Sequence, residues 1–132
     1  MDLYDYFEST KGTGVLATAD KDGRVDAALY SRPHVMEDGT IAFIMRDRLS
    51  HANVASNPQA AYLFVEDGPG YKGKRLFLKM VREEKETELL YKLRRRTYPS
   101  DANPEKDPKY LVFFELERVL PLVGSDETSM EG

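Results

Sequence analysis

Apolar positions along the chain fall into short stretches, and each change of period marks a new element. Residues 2–11 place Leu3, Tyr6 and Phe7 at i, i+3 and i+4, which predicts a short helix with one apolar face, ended by Gly12 and Gly14. Residues 13–19 alternate small and β-branched side chains and predict a strand, residues 20–23 a turn. Residues 24–32 alternate again, with Val25, Ala27 and Leu29 on one face and Asp26, Ala28 and Tyr30 on the other, so the two strands make a hairpin. Pro33 interrupts the pairing and residues 34–36 resume it. Asp38-Gly39 is a strong hairpin dipeptide, and residues 40–46 form the next strand, with Ile41, Phe43 and Met45 on one side.

A short helix over about residues 49–56 stops at Asn57-Pro58, because the residue before a proline is pushed out of helical conformation. Residues 59–66 are apolar on both faces and predict a central strand. Residues 74–82 alternate with Leu76, Leu78 and Met80 inward. Residues 83–97 predict the longest helix. Glu83, Glu84, Glu86 and Glu88 come first and Lys92, Arg94, Arg95 and Arg96 last, the order a helix dipole favours, with Leu89 and Leu93 as an apolar stripe. Residues 98–109 hold three prolines and predict a loop, so 83–109 reads as a helical insertion. Residues 110–123 form a final long strand with a bend at Pro121, and the polar tail 125–132 frays. The fold class is mainly β with short helices: about six strands in short hairpins forming a small antiparallel barrel, one domain over residues 1–124.

Composition narrows the function. The 132 residues amount to one domain, and 41% hydrophobic content is enough for a core. The chain has no cysteine, which excludes a disulfide scaffold, a thiolate metal site and a thiol nucleophile, and fits a cytoplasmic location. Its longest unbroken apolar run, residues 60–65, falls far short of the ~20 residues a spanning helix needs. Asp2, Asp5 and Glu8 precede the first lysine, the reverse of a secretory signal. A net charge of −4 does not invite nucleic acid. Yet residues 71–82 carry Lys72, Lys74, Arg75, Lys79 and Arg82 and no acid, which suits a small anion.

Several motifs dissolve on inspection. Residues 68–73 match G-x-G-x-x-G, but a period-two strand follows where a dinucleotide site needs a helix. Residues 20–23 hint at a calcium loop whose twelfth position would be Ser31 rather than a bidentate Glu. His34 and His51 have no metal-ligand spacing. The run Arg94-Arg95-Arg96 reads as a solvated helix end rather than a nucleic-acid contact. The stretch 44–53 is more informative. A strand ends, Arg46 and Arg48 arrive, and Ser50 stands in the first turn of a helix. Free N–H groups, a hydroxyl and two guanidiniums make a phosphate site. The competing reading, that Asp47 or Ser50 merely caps the helix while the arginines are solvated, carries equal weight.

In the order and spacing of its pieces the sequence resembles the FMN-binding split-barrel family, the pyridoxamine 5′-phosphate oxidase-like proteins. The pieces are Gly14-Val-Leu-Ala-Thr-Ala-Asp20 with Asp22-Gly23, Tyr30-Ser31-Arg32, Gly39-Thr-Ile-Ala-Phe-Ile-Met45, and Ser50-His-Ala-Asn-Val54 with Asn57-Pro58. The resemblance implies a six-stranded antiparallel split barrel and a homodimer holding two FMN molecules at its interface. It places Arg46, Arg48, Ser50 and Asn53 near the phosphate, and Tyr30, Ser31 and Arg32 near the ring and ribityl chain. The backbone of Ile44 and Met45 would line the isoalloxazine, and the partner subunit would add Lys72, Lys74 or Arg75.

The chain also departs from the pattern. Ser50 stands where several members carry a lysine, so the arginines must supply the charge. The substrate-clamping C-terminal segment of the oxidase proper is not found, and there is no tryptophan, which argues against vitamin B6 oxidase activity but not against flavin binding. The 83–109 insertion would be a lid or a dimer element. The leading expectation is an FMN flavoprotein, a redox enzyme for a small-molecule substrate, with no catalytic residue and no metal ligand assigned. The alternatives are a non-catalytic flavin carrier or sensor, a basic-helix binding module on a barrel scaffold, and the same fold holding a deazaflavin or haem.

Overall fold

The computed structural model describes residues 2–94 and 107–124. Strands that alternate in polarity bury one face only by pairing, and here they pair into one antiparallel sheet. Its strands are β1 (Gly12–Ala19), β2 (Val25–Leu29), β3 (His34–Val35), β4 (Ile41–Arg46), β5 (Gln59–Glu66), β6 (Gly73–Lys85) and β7 (Lys109–Pro121). The order across the sheet is β2-β1-β5-β6-β7-β4-β3. The two outer strands, β2 and β3, do not pair with each other, so the barrel is split, as the sequence predicts. The two-residue β3, on the far side of Pro33, makes the count seven.

Three short helices complete the chain: α1 (Leu3–Ser9), α2 (Leu49–Ser56) and α3 (Glu88–Leu93). The main core gathers Leu16, Phe43, Tyr62, Phe64, Leu78 and Phe114 from the sheet, Phe7 from α1 and Val54 from α2. A second, smaller cluster lies on the opposite face of β4 and β7, where Leu90 of α3 covers Ala42, Leu111 and Phe113. That helix explains why β7 is apolar on both faces between Leu111 and Phe114.

Two expectations need correction. Gly12 and Gly14 do not end α1. The helix stops at Ser9 with Thr10 as its C-cap, and both glycines lie inside β1. Gly14 is there because nothing larger fits, since a Cβ on it would sit 1.8 Å from the Tyr62 hydroxyl. The long helix predicted over 83–97 begins instead as strand. Glu83, Glu84 and Lys85 extend β6 and pair with Val112, Leu111 and Tyr110 of β7. Register shifts at Phe77/Leu78 and Met80/Arg82 break the alternation that would have announced the longer strand. Glu86, at φ 54, then turns the chain, and Thr87 caps α3 by accepting from the Leu90 amide. Residues 95–97 of the expected helix, most of the proline-rich loop and the polar tail lie outside the described residues.

Candidate functional site

β4 gives way to α2 within two residues, Asp47 and Arg48. Arg48 is the N-cap, with extended backbone and no side-chain capping hydrogen bond. The first-turn N–H groups of α2 are therefore left for another partner. The capping alternative does not hold. Oδ1 of Asp47 lies 3.1 Å from Nδ1 of His51, and Ser50 makes no hydrogen bond through its hydroxyl among the described residues although it is only 4% exposed. A buried hydroxyl without a partner is costly unless something else satisfies it.

Nor are the arginines simply solvated. Nε of Arg46 donates to both carboxylate oxygens of Asp107, at 3.1 and 2.9 Å. Nη2 of Arg48 and Nζ of Lys109 each lie 3.5 Å from the same carboxylate. The side chains of Asp107 and Lys109 are buried. Lys109 stands directly opposite Arg46 across the β4–β7 pair, so both side chains emerge on one face of the sheet. Among the described residues three cations share this one carboxylate, and guanidinium and ammonium donors of this kind bind anions.

Arg46, Arg48, Ser50 and Lys109 form one end of a cavity of about 290 Å³. Phe43 and Ile44 of β4 line its wall, Leu29 to Arg32 a second side, and Leu90 and Arg94 a third. The segment after β2 is fixed from below, because the buried Tyr62 hydroxyl donates to the carbonyls of Tyr30 and Ser31 at 3.2 and 3.1 Å. Nη1 of Arg32 donates to the Phe7 and Thr10 carbonyls at the end of α1. The Tyr30 ring meets Phe43 edge-on, with centroids 6.0 Å apart.

Of the residues predicted from sequence, Tyr30, Ser31, Arg32, Ile44, Arg46, Arg48 and Ser50 come together around this cavity. Met45 and Asn53 do not line it. Met45 is fully buried in the main core, since alternate strand residues face opposite ways. Asn53 is buried too, its Nδ2 donating to Oγ1 of Thr18 at 3.0 Å and so tying α2 to β1. Lys72, Lys74 and Arg75 lie at the β5–β6 hairpin and do not reach the cavity within one chain. Nζ of Lys74 sits 4.7 Å over the Tyr6 ring, and Arg75 donates to the Pro121 and Gly124 carbonyls. Sequence reasoning missed Asp107, Lys109, His34 and Leu90; Lys109 opens β7 and Asp107 lies two residues before it, but both read as the end of a polar, proline-rich loop.

No protein-family model matches the chain, and no curated protein matches it by sequence. Solved structures do match in shape. An FMN-binding protein from Syntrophomonas wolfei subsp. wolfei is 19% identical with a TM-score of 0.67, over 93% of this chain and 85% of that one. An F420 reductase is 12% identical with a TM-score of 0.64, over 91% and 98%. A candidate pyridoxamine 5′-phosphate oxidase from Lactobacillus delbrueckii is 15% identical with a TM-score of 0.62, over 89% and 88%. The chain shares the split-barrel fold with these proteins.

Proposed function

We propose that this split barrel binds FMN, with the phosphate at the β4–α2 junction and the ring system toward Tyr30, Ser31 and Ile44. The observation that carries the reading is the buried Ser50 hydroxyl on the cavity wall, without a partner among the described residues, at an uncapped helix start beside Arg46 and Arg48. A phosphate monoester would accept from the hydroxyl, the first-turn amides and the guanidiniums together. Each charge-assisted bond is worth roughly 1.5–3 kcal/mol. Two of the structural neighbours, an FMN-binding protein and an F420 reductase, are consistent with a flavin-type ligand.

Bound FMN would supply one- and two-electron redox chemistry; the protein's part is to bind it, orient it and exclude water. The reading extends to an oxidoreductase for a small-molecule substrate in the cytoplasm, where a chain without cysteine is at home. A homodimer completes the site. Leu29 and Leu49 line the cavity and are nonetheless 73% and 58% exposed, and Val25 on the same edge strand is 84% exposed. A second copy of the chain is the simplest cover for such an edge. Of the three cations predicted to reach across, only Lys72 is well exposed, so the partner subunit's Lys72 is the best placed to do so.

Titration of the purified protein with FMN and with riboflavin tests the reading. Tighter binding of FMN supports it, and equal binding contradicts the phosphate assignment. Release of a deazaflavin or haem on denaturation would redirect the cofactor while leaving the fold untouched.

A further inference from the structure

His51 is the third residue of α2 and the neighbour of Ser50, yet it faces away from the cavity lining. The residue is 8% exposed, and its ring stacks on Tyr110 of β7, with centroids 4.0 Å apart and planes inclined by 19°. Nδ1 lies 3.1 Å from Oδ1 of Asp47, and Nε2 lies 2.8 Å from Oε1 of Glu83 on β6. An ionised carboxylate only accepts hydrogen bonds, and a neutral imidazole has one N–H and one lone pair. Both contacts are therefore hydrogen bonds only when both ring nitrogens carry protons. Once a proton leaves, one carboxylate faces a lone pair in a nearly buried site, where such a mismatch is costly.

The groups that face the ring are Asp47 from the β4–α2 link, Glu83 from β6 and Tyr110 from β7, and Nζ of Lys85 lies 5.8 Å from the Tyr110 ring. Asp47 stands between Arg46, the last residue of β4, and Arg48, so the bridge fastens the link that bears Arg48 and follows Arg46 to the first turn of α2 and to β6. We propose that Asp47–His51–Glu83 is a proton-dependent positioning bridge for the anion site at the β4–α2 junction. Protonated His51 holds the link against Glu83, and loss of the proton frees one side of it. The role in cofactor retention rests on the phosphate reading; the bridge itself does not.

Glu83→Gln isolates the effect, because an amide can donate to the ring lone pair and so keeps the bridge with neutral His51. The His51 ring nitrogens and the Ser50 amide are followed by NMR in isotope-labelled protein over a pH series that spans the change in the ring's protonation. FMN and riboflavin affinities are measured over the same range. In the wild type the Ser50 amide should move with the ring titration, and FMN affinity relative to riboflavin should fall about tenfold as the proton is lost, the size of one hydrogen bond. Glu83→Gln should flatten both responses. The phosphate of FMN changes its own charge near pH ~6, but equally in both proteins, so their ratio reports the bridge. A Ser50 amide indifferent to the ring titration, or parallel FMN profiles in the two proteins, overturns the proposal. Absence of any FMN preference contradicts the phosphate reading instead, and the Ser50–His51 coupling in the spectra still decides the bridge. Should Glu83→Gln fail to fold, Asp47→Asn makes the same exchange at the other nitrogen.

Discussion

Arg46 grips Asp107 through both carboxylate oxygens, at 3.1 and 2.9 Å, although 61 residues separate them. The pair ties the segment just before β7 to the end of β4 and holds one guanidinium on the cavity wall. A residue of the candidate phosphate site is thus also a fastening of the fold.

Arg46 and Ser50 should consequently fail in different ways. Arg46→Ala leaves a buried carboxylate with two cations at a longer 3.5 Å, and should lower stability without ligand by about 1–3 kcal/mol. Ser50→Ala removes a hydroxyl that makes no hydrogen bond within the described chain, and should leave apo stability within about 0.5 kcal/mol. Both should weaken FMN binding, Ser50→Ala by roughly 1–3 kcal/mol. Urea denaturation without ligand, alongside FMN titration, separates the cases. Early unfolding of Ser50→Ala would make the hydroxyl a structural group.

Gly14→Ala should be costly despite its small size. The added methyl would lie 1.8 Å from the hydroxyl of Tyr62, which is fully buried and holds the Tyr30 and Ser31 carbonyls. Overpacking of this kind costs about 1–3 kcal/mol. The shift of Tyr62 should also disturb the cavity wall, so FMN affinity should fall together with the denaturation midpoint. A variant as stable as wild type would show that the strand can yield there.

Tyr6 gives a pH dependence. Burial, chiefly, and then the hydrogen bond to Glu66 and its negative charge push the hydroxyl above the ordinary tyrosine range. The unfolded chain then releases this proton at lower pH than the folded one. The contribution to stability is whole below about pH 10 and is lost as the pH rises toward the folded value. Tyr6→Phe should flatten the alkaline loss of stability, followed as denaturation midpoints across that range. An unchanged slope would assign the loss to other groups.

The exposed edge of β2 predicts self-association. Leu29→Lys places a charge on a side chain that is 73% exposed in one chain, so the monomer should fold normally. Sedimentation should show a dimer for the wild type and a shift toward monomer for the variant, with weaker FMN binding. A wild type that is monomeric with and without FMN would contradict the shared site.

Local signals were readable in the sequence and distant ones were not. The bounds of α2 and β5 follow from Asn57-Pro58 and from the apolar run after it, which act within a few residues. Arg46, Arg48 and Ser50 were legible for the same reason, being contiguous at one strand–helix junction. The length of β6 was hidden by two register shifts that spoil its alternation and by four glutamates that mimic the start of a helix. Asp107 and Lys109 join the site only through the pairing of β7 with β4, and no local pattern announces that register. Asn53 and Met45 share a stretch with true cavity residues but point into the interior, a distinction set by how the elements pack.

We propose above all that the β4–α2 junction recognises a phosphate on a flavin. The most direct test is the ratio of the FMN and riboflavin dissociation constants for the same preparation of wild-type protein. Two or more charge-assisted bonds to the phosphate predict a preference for FMN of at least about a hundredfold. A ratio near one would show that the cavity does not use Arg46, Arg48 and Ser50 to hold a phosphate, and would contradict the account.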